Sequence, residues 1–129
     1  MGTVKRFEDL DVWQKARVFT KRIYEISREG VFAKDYGLRD QICKSSVSIM
    51  ANIAEGFERA GNREFIQFLA VAKGSAGEVR SHIFVALDQN YIDQQTFDDL
   101  YASVTEISSM IAGLISYLTK TSMKGVKFK

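Results

Sequence analysis

Not one of the 129 residues is proline. Proline is the residue that breaks helices, because it lacks the backbone N–H and its ring clashes with the preceding turn. A chain of this length without it, rich in Ala, Leu, Ile, Glu, Lys and Arg, reads as mainly helix. It has the commonest size of a single domain and is long enough to bury a core without disulfides or metal. The glycines fall mostly where helices should end.

Hydrophobic periodicity divides the chain into four helices. The first is predicted from about Leu10 to Ser27, with Glu8, Asp9 and Asp11 near its positive end and Gly30 as its stop. Val12, Ala16, Phe19, Ile23 and Ile26 alternate steps of four and three and so share one face. A loop through Val31–Asp35 leads to the second, from about Tyr36 or Gly37 to Phe57. The third is predicted from Asn62, as N-cap, to about Gln89. Asp93 caps the fourth, with Ile92 before it and Phe97 inside it in hydrophobic-staple positions. Its seam is Phe97, Leu100, Val104, Ile107, Ile111, Leu114 and Leu118, and its expected end is near Lys120. Short connections make sequential helices antiparallel neighbours, so the expected fold is all-α, an up-down-up-down four-helix bundle. Residues 1–120 form this one domain, and 121–129 form a frayed basic tail carrying Lys124, Lys127 and Lys129.

Two helices carry more apolar surface than one core face needs. In the second, Leu38, Ile42, Ile49 and Ile53 share one side, while Cys43, Val47, Met50 and Ala54 form another. In the third, beside the core stripe Phe65, Leu69, Ala72, Ala76, Val79, Ile83 and Leu87, the small residues Ala70, Gly74, Gly77 and Ser81 follow at helical spacing. Two glycines inside a helix cost about 2 kcal/mol unless a close contact requires them. That contact is either a neighbouring helix or another subunit. Homo-oligomerisation through the second faces is the expectation; a wide monomer core is the alternative.

Several classes of function are disfavoured. No run of about 18 apolar residues occurs, so no membrane span is expected. The N-terminus lacks the apolar stretch of a secretory signal, and the single Cys43 fits a reducing cytoplasm. Cys43 itself reads as a small buried hydrophobe. Ser45, Ser46 and Ser48 have no accompanying histidine and acid arrangement that marks a nucleophile. The Gly74–Gly77 segment lacks the strand and the lysine of a phosphate-binding loop. A di-iron bundle site needs several glutamates with Glu-x-x-His pairs, and the only histidine is His82, one turn after Glu78. No enzyme activity, metal, cofactor or small-molecule substrate is expected. Asn52, Glu55 and Glu78 instead read as polar groups that satisfy donors where helices or subunits meet.

The motifs Phe7-Glu8-Asp9-Leu10, Val12-Trp13-Gln14-Lys15-Ala16, Tyr36-Gly37-Leu38 and Gln41-Ile42 open a recognisable pattern. Ser48 to Gly56, which includes Asn52-Ile53-Ala54-Glu55-Gly56, then Glu64-Phe65, Gly74-Ser75 and Glu78 complete it. This resembles the bacterial four-helix-bundle proteins named for the intervening sequences of 23S ribosomal RNA genes, over nearly the whole chain. The resemblance implies a ring-like homopentamer. It also implies kinship with accessory proteins of diversity-generating retroelements, which bind nucleic acid and work beside a reverse transcriptase. Two departures stand out: Val31-Phe32-Ala33 lacks a proline common in that loop, and Cys43-Lys44 replaces a more basic pair.

The formal net charge is only +2, yet it is segregated. Residues 81–119 contain no Lys or Arg, against Asp88, Asp93, Asp98, Asp99 and Glu106. The best candidate binding surface is on the first helix, where Arg17, Lys21, Tyr24 and Arg28 form a stripe away from the core positions. Cations of this kind neutralise phosphates, and a tyrosine among them can stack on an unpaired base. A solvated helix face has the same composition. The leading expectation is therefore a non-enzymatic oligomer that binds RNA or DNA through repeated basic patches. The alternative is a protein-interaction scaffold whose charge asymmetry serves docking.

Overall fold

The structure, a computed structural model, describes residues 4–59 and 61–128, with side chains as far as Thr121. Among these residues there are four α-helices and no strand: α1 (Asp11–Ser27), α2 (Tyr36–Glu58), α3 (Asn62–Asp88) and α4 (Gln94–Phe128). Short 3-10 turns occupy Phe7–Asp9 and Phe32–Lys34. The side chains of Lys124 and Lys127, and Lys129 as a whole, lie outside the described residues.

Each helix runs antiparallel to the ones beside it. Thr20 donates to the Ser46 carbonyl at 3.2 Å, and Ser27 Oγ lies 3.4 Å from Cys43 Sγ, so α2 descends as α1 rises. Ser48 Oγ meets Ser75 Oγ at 2.9 Å, while Gly56 lies beside Phe65 and Phe68, which gives α2 and α3 opposed directions. Lys15–Glu106 at 2.9 Å and Arg22–Asp99 at 3.8 Å close the ring between α1 and α4. The predicted core positions are buried, including Val12, Ala16, Phe19 and Ile23 of α1 and Val104, Ile107 and Ile111 of α4. Ile26, Leu38, Leu87 and Leu114 are half-buried at its edge. No helix among the described residues is long and apolar enough to cross a membrane.

The helix ends show where local chemistry matters. Asp35 caps α2, its Oδ1 accepting the Leu38 N–H at 3.1 Å. Its Oδ2 accepts the Tyr91 hydroxyl at 2.9 Å, and the Tyr91 ring stacks on Phe32 at 5.2 Å. One carboxylate thus ties the α1–α2 loop to the α3–α4 turn, and its hydrogen bond holds the Tyr91 phenol above its ordinary range. Asn90, at φ 61, takes the left-handed conformation that turns the chain into α4.

Asp93 caps α4 as predicted, accepting the Thr96 N–H at 2.8 Å, and Ile92 and Phe97 are both buried in the core. The bonds from Thr96 hold the Asp93 carboxyl below its usual value. A group with a lowered folded pKa contributes stability above its unfolded pKa and loses it as pH falls through the folded one. Asp93→Ala therefore lowers the melting temperature by a few degrees at neutral pH, and the deficit fades as pH falls through and below the ordinary carboxylate range. A pH series of thermal melts checks this; an equal deficit at both ends assigns the effect to something other than the charged cap.

α3 begins at Asn62 as expected, but its cap and the end of α4 are corrected. Asn62 is the first residue of α3 rather than its cap: Gly61, at φ +154, holds the cap position with no side-chain bond. The helix starts there because glycine accepts a backbone corner that asparagine adopts less readily. α4 does not stop near Lys120 but continues to Phe128, through most of the segment expected to be a separate tail. Nothing from Thr121 to Phe128 halts it, since proline is absent and one glycine costs about 1 kcal/mol.

Candidate functional site

All four residues of the α1 stripe, Arg17, Lys21, Tyr24 and Arg28, are exposed. Tyr24 and Arg28 stand on the side of α1 nearer α2, while Arg17 and Lys21 stand on its outer face beside the Phe7–Asp9 turn. The cations of α1 are thereby sorted. Lys15 and Arg22, on the α4 side, are neutralised by Glu106 and Asp99. Among the described residues, no carboxylate pairs with Arg17, Lys21 or Arg28. Arg17 instead lies 5.9 Å from the Trp13 ring centroid, and Arg28 Nε donates to the Tyr24 carbonyl at 3.1 Å.

The structure divides the stripe between two depressions. Arg17 and Lys21 border a hollow of about 440 Å³ with Glu8, Trp13, Gln14 and Val18. Tyr24 and Arg28 border a larger groove of about 630 Å³ between α1 and α2. Across it stand Arg39, Asp40 and Lys44, above a floor of Ser27, Cys43 and Val47. Arg39 is held in place, donating to the Ala33 carbonyl at 3.0 Å, packing 5.0 Å from the Tyr36 ring centroid and lying 3.7 Å from Asp40. Sequence reasoning missed Arg39 and Lys44 as members of this surface. The signal was the Gly30 hairpin, which makes α1 and α2 antiparallel and sets α2 residues around 40 beside α1 residues around 27.

The residues expected at assembly contacts fall into two groups. Asn52 is satisfied within α2, donating to the Ser48 carbonyl at 2.8 Å and to Ser48 Oγ at 3.0 Å. Glu55 is exposed and pairs with Arg59 at 3.4 Å; Arg59 also reaches Glu64 at 3.6 Å. Glu78 is exposed on α3. One turn further, His82 Nδ1 is buried without a hydrogen-bond partner. Burial lowers the His82 pKa, against an opposing pull from Glu78. Among the described residues, no group of three His, Cys, Asp or Glu side chains is placed to hold a metal ion.

Gly74 and Gly77 are not explained by a neighbouring helix among the described residues. A Cβ at either position meets nothing within 4 Å, so no neighbouring helix of this chain needs them. Ala70, Gly74 and Ser81 are exposed, and Gly77 is half-exposed. Ala102, Ser109 and Ser116 of α4 are exposed as well. The apolar second face of α2 behaves differently. Cys43 and Met50 are half-buried against the core, with α1 and the Phe7–Asp9 turn packed along α2, and Val47 is exposed.

The sequence pattern of the family described as 23S rRNA-intervening sequence protein matches residues 8–113. A solved structure of a protein with unknown function from the S23 ribosomal protein family, from Bacteroides thetaiotaomicron VPI-5482, superposes with a TM-score of 0.74 at 26% sequence identity. The match covers 81% of this chain and 97% of that one. Among curated proteins, none matches the chain significantly. The family match runs from the Phe7–Asp9 turn through α1, α2 and α3 into α4, and so takes in the α1 stripe, the groove beside it and the α3 glycines. The chain belongs to the 23S rRNA-intervening sequence protein family.

Proposed function

We propose that this protein is a non-catalytic, self-associating bundle that binds RNA or DNA through the α1 stripe. The observation that supports the reading is the sorting of charge on α1: among the described residues Arg17, Lys21 and Arg28 lack carboxylate partners, while Lys15 and Arg22, toward α4, are neutralised. Unpaired cations retain their full attraction for phosphate, and each phosphate neutralised releases condensed counterions. The exposed small-residue faces of α3 and α4 are the self-association surface. They lie on α3 and α4, whereas the groove is lined by α1 and α2 alone, so association through them is expected to leave the stripe open and to repeat it in every subunit. Repetition turns a weak patch into a tight one through effective concentration. A ring of five copies, the number implied by the family resemblance, is the arrangement we favour.

Titration of a labelled structured RNA and a duplex DNA across a salt series tests the binding. The expected result is a dissociation constant at or below about 10⁻⁶ M at low salt, rising steeply with added salt. Solution mass tests the assembly, which is expected at a multiple of 14.6 kDa at micromolar concentration. Absence of binding even at low salt, with the assembly intact, moves the function to a protein-interaction scaffold. A mass of one chain sinks the repeated-patch mechanism.

A further inference from the structure

We infer that the α1–α2 groove is a seat for one unpaired nucleotide, so that the protein prefers single-stranded nucleic acid to a duplex. This rests on the nucleic-acid reading of the stripe and specifies which form of nucleic acid is taken. The groove differs from a flat basic face in three respects. It is concave, and its volume of about 630 Å³ lies in the range of small-ligand clefts. Its floor is weakly polar, formed by Ser27, Cys43 and Val47, with Val47 40% exposed. An aromatic ring, Tyr24, stands at its edge with 39% of its surface exposed.

The charges in the lining are arranged for a nucleotide rather than for a bare anion. Three cations, Arg28, Arg39 and Lys44, face one carboxylate, Asp40. Asp40 sits against Arg39, so the excess positive charge is at Arg28 and Lys44. Phosphate is therefore directed to Arg28 and Lys44, one on each wall of the groove, which leaves Tyr24 to take the base. The Arg28 Nε bond to the Tyr24 carbonyl fixes its side chain along the backbone of the residue whose ring does the stacking. Phosphate contact and base stacking then fall within one turn of α1. A base inside a duplex already stacks on its neighbours and offers its face to nothing outside. A duplex therefore gains from the cations alone, whereas an unpaired nucleotide gains from the cations and from Tyr24.

The test uses the full chain, with unstructured oligouridine and a duplex RNA of equal length as probes. Tyr24→Ala is expected to weaken oligouridine binding roughly tenfold, the order of one lost stack, and to leave the duplex unchanged. Tyr24→Phe keeps the ring and is expected to bind like the parent. Because Cys43 is the single cysteine and lines the groove, its alkylation by a maleimide reports occupancy directly. Oligouridine is expected to slow that reaction strongly, and the duplex to slow it little. If Tyr24→Ala binds oligouridine like the parent, or Cys43 reacts at the same rate with the oligonucleotide bound, the nucleotide seat is wrong. Arg17→Glu separates this failure from that of the broader reading. Loss of binding in Arg17→Glu beside an unaffected Tyr24→Ala leaves the basic stripe standing and removes only the seat. Failure of both probes to bind the parent protein removes both.

Discussion

Alanine at Gly56 is expected to destabilise the protein by about 2 kcal/mol, and alanine at Gly74 or Gly77 to stabilise it by about 1 kcal/mol each. The substitution is chemically the same in all three places, so the sign comes from the surroundings. A Cβ on Gly56 lands 2.8 Å from Phe68 Cβ and 2.9 Å from Phe65 Cδ1, with the Phe65 carbonyl at 3.3 Å. Phe68 Cβ and the Phe65 backbone are not the ends of flexible chains. Relief requires α2 and α3 to move apart, and Phe65 cannot yield freely because its ring packs edge-on against Phe57 at 5.9 Å. At Gly74 and Gly77 the added methyl meets open space and only the helix-propensity gain remains. For a chain of this size the Gly56 variant should melt several degrees lower, on the order of 8 °C, and the others a few degrees higher. Circular-dichroism melts on dilute protein read both. An unchanged melting temperature for Gly56→Ala refutes the close packing described for this crossing. The Gly74 and Gly77 variants carry a second readout, since a surface used for self-association does not accept new methyls freely. They are expected to melt higher as single chains and to associate more weakly, as seen in solution mass.

Reversing Arg17, Lys21 and Arg28 together to glutamate is expected to weaken nucleic-acid binding on the order of 100-fold at low salt. It should also flatten the salt dependence, because each lost phosphate contact removes about 0.9 from the log–log slope. None of the three cations is ion-paired among the described residues, so their reversal breaks no ion pair and should leave the melting temperature within about 1 °C of the parent. The paired reversal of Lys15 and Arg22 is the control. It places like charges beside Glu106 and Asp99, and its effect is expected on stability. If the triple variant binds as tightly as the parent, the stripe is a solvated face and the scaffold reading prevails.

The fold was legible wherever a single helix could be read by itself. The seam of α4 and the Asp93 cap depend only on residues within a few turns of one another, and both lie where the periodicity set them. The start of α3 was read correctly but its cap was not, because Gly61 and Asn62 both suit a cap and only the backbone shows that Gly61 takes the corner at φ +154. The end of α4 was misread because loss of hydrophobic periodicity after Leu118 resembles the end of a helix, although a helix needs only compatible backbone to continue. The site was half legible. The α1 stripe follows from spacing alone, but the participation of Arg39 and Lys44 depends on the vertical register of α2 against α1, which contacts such as Ser27–Cys43 fix. Gly56 was overlooked for the same reason. It stands near a helix end, where a glycine needs no special explanation, and only the position of Phe65 and Phe68 reveals its purpose.

The sorting of cations on α1 has a consequence at distances well beyond contact. Among the described residues, Arg17, Lys21 and Arg28 on α1 have no carboxylate partner, and Asp93 and Asp98 at the start of α4 have no basic partner, so charge of opposite sign is left on different helices of the bundle. If the proposed nucleic-acid binding holds, such a separation of charge turns the basic side of α1 toward the polyanion before any side chain touches. Orientation is then settled during approach, and dissolved salt acts first on how often encounters succeed and only second on how long they last.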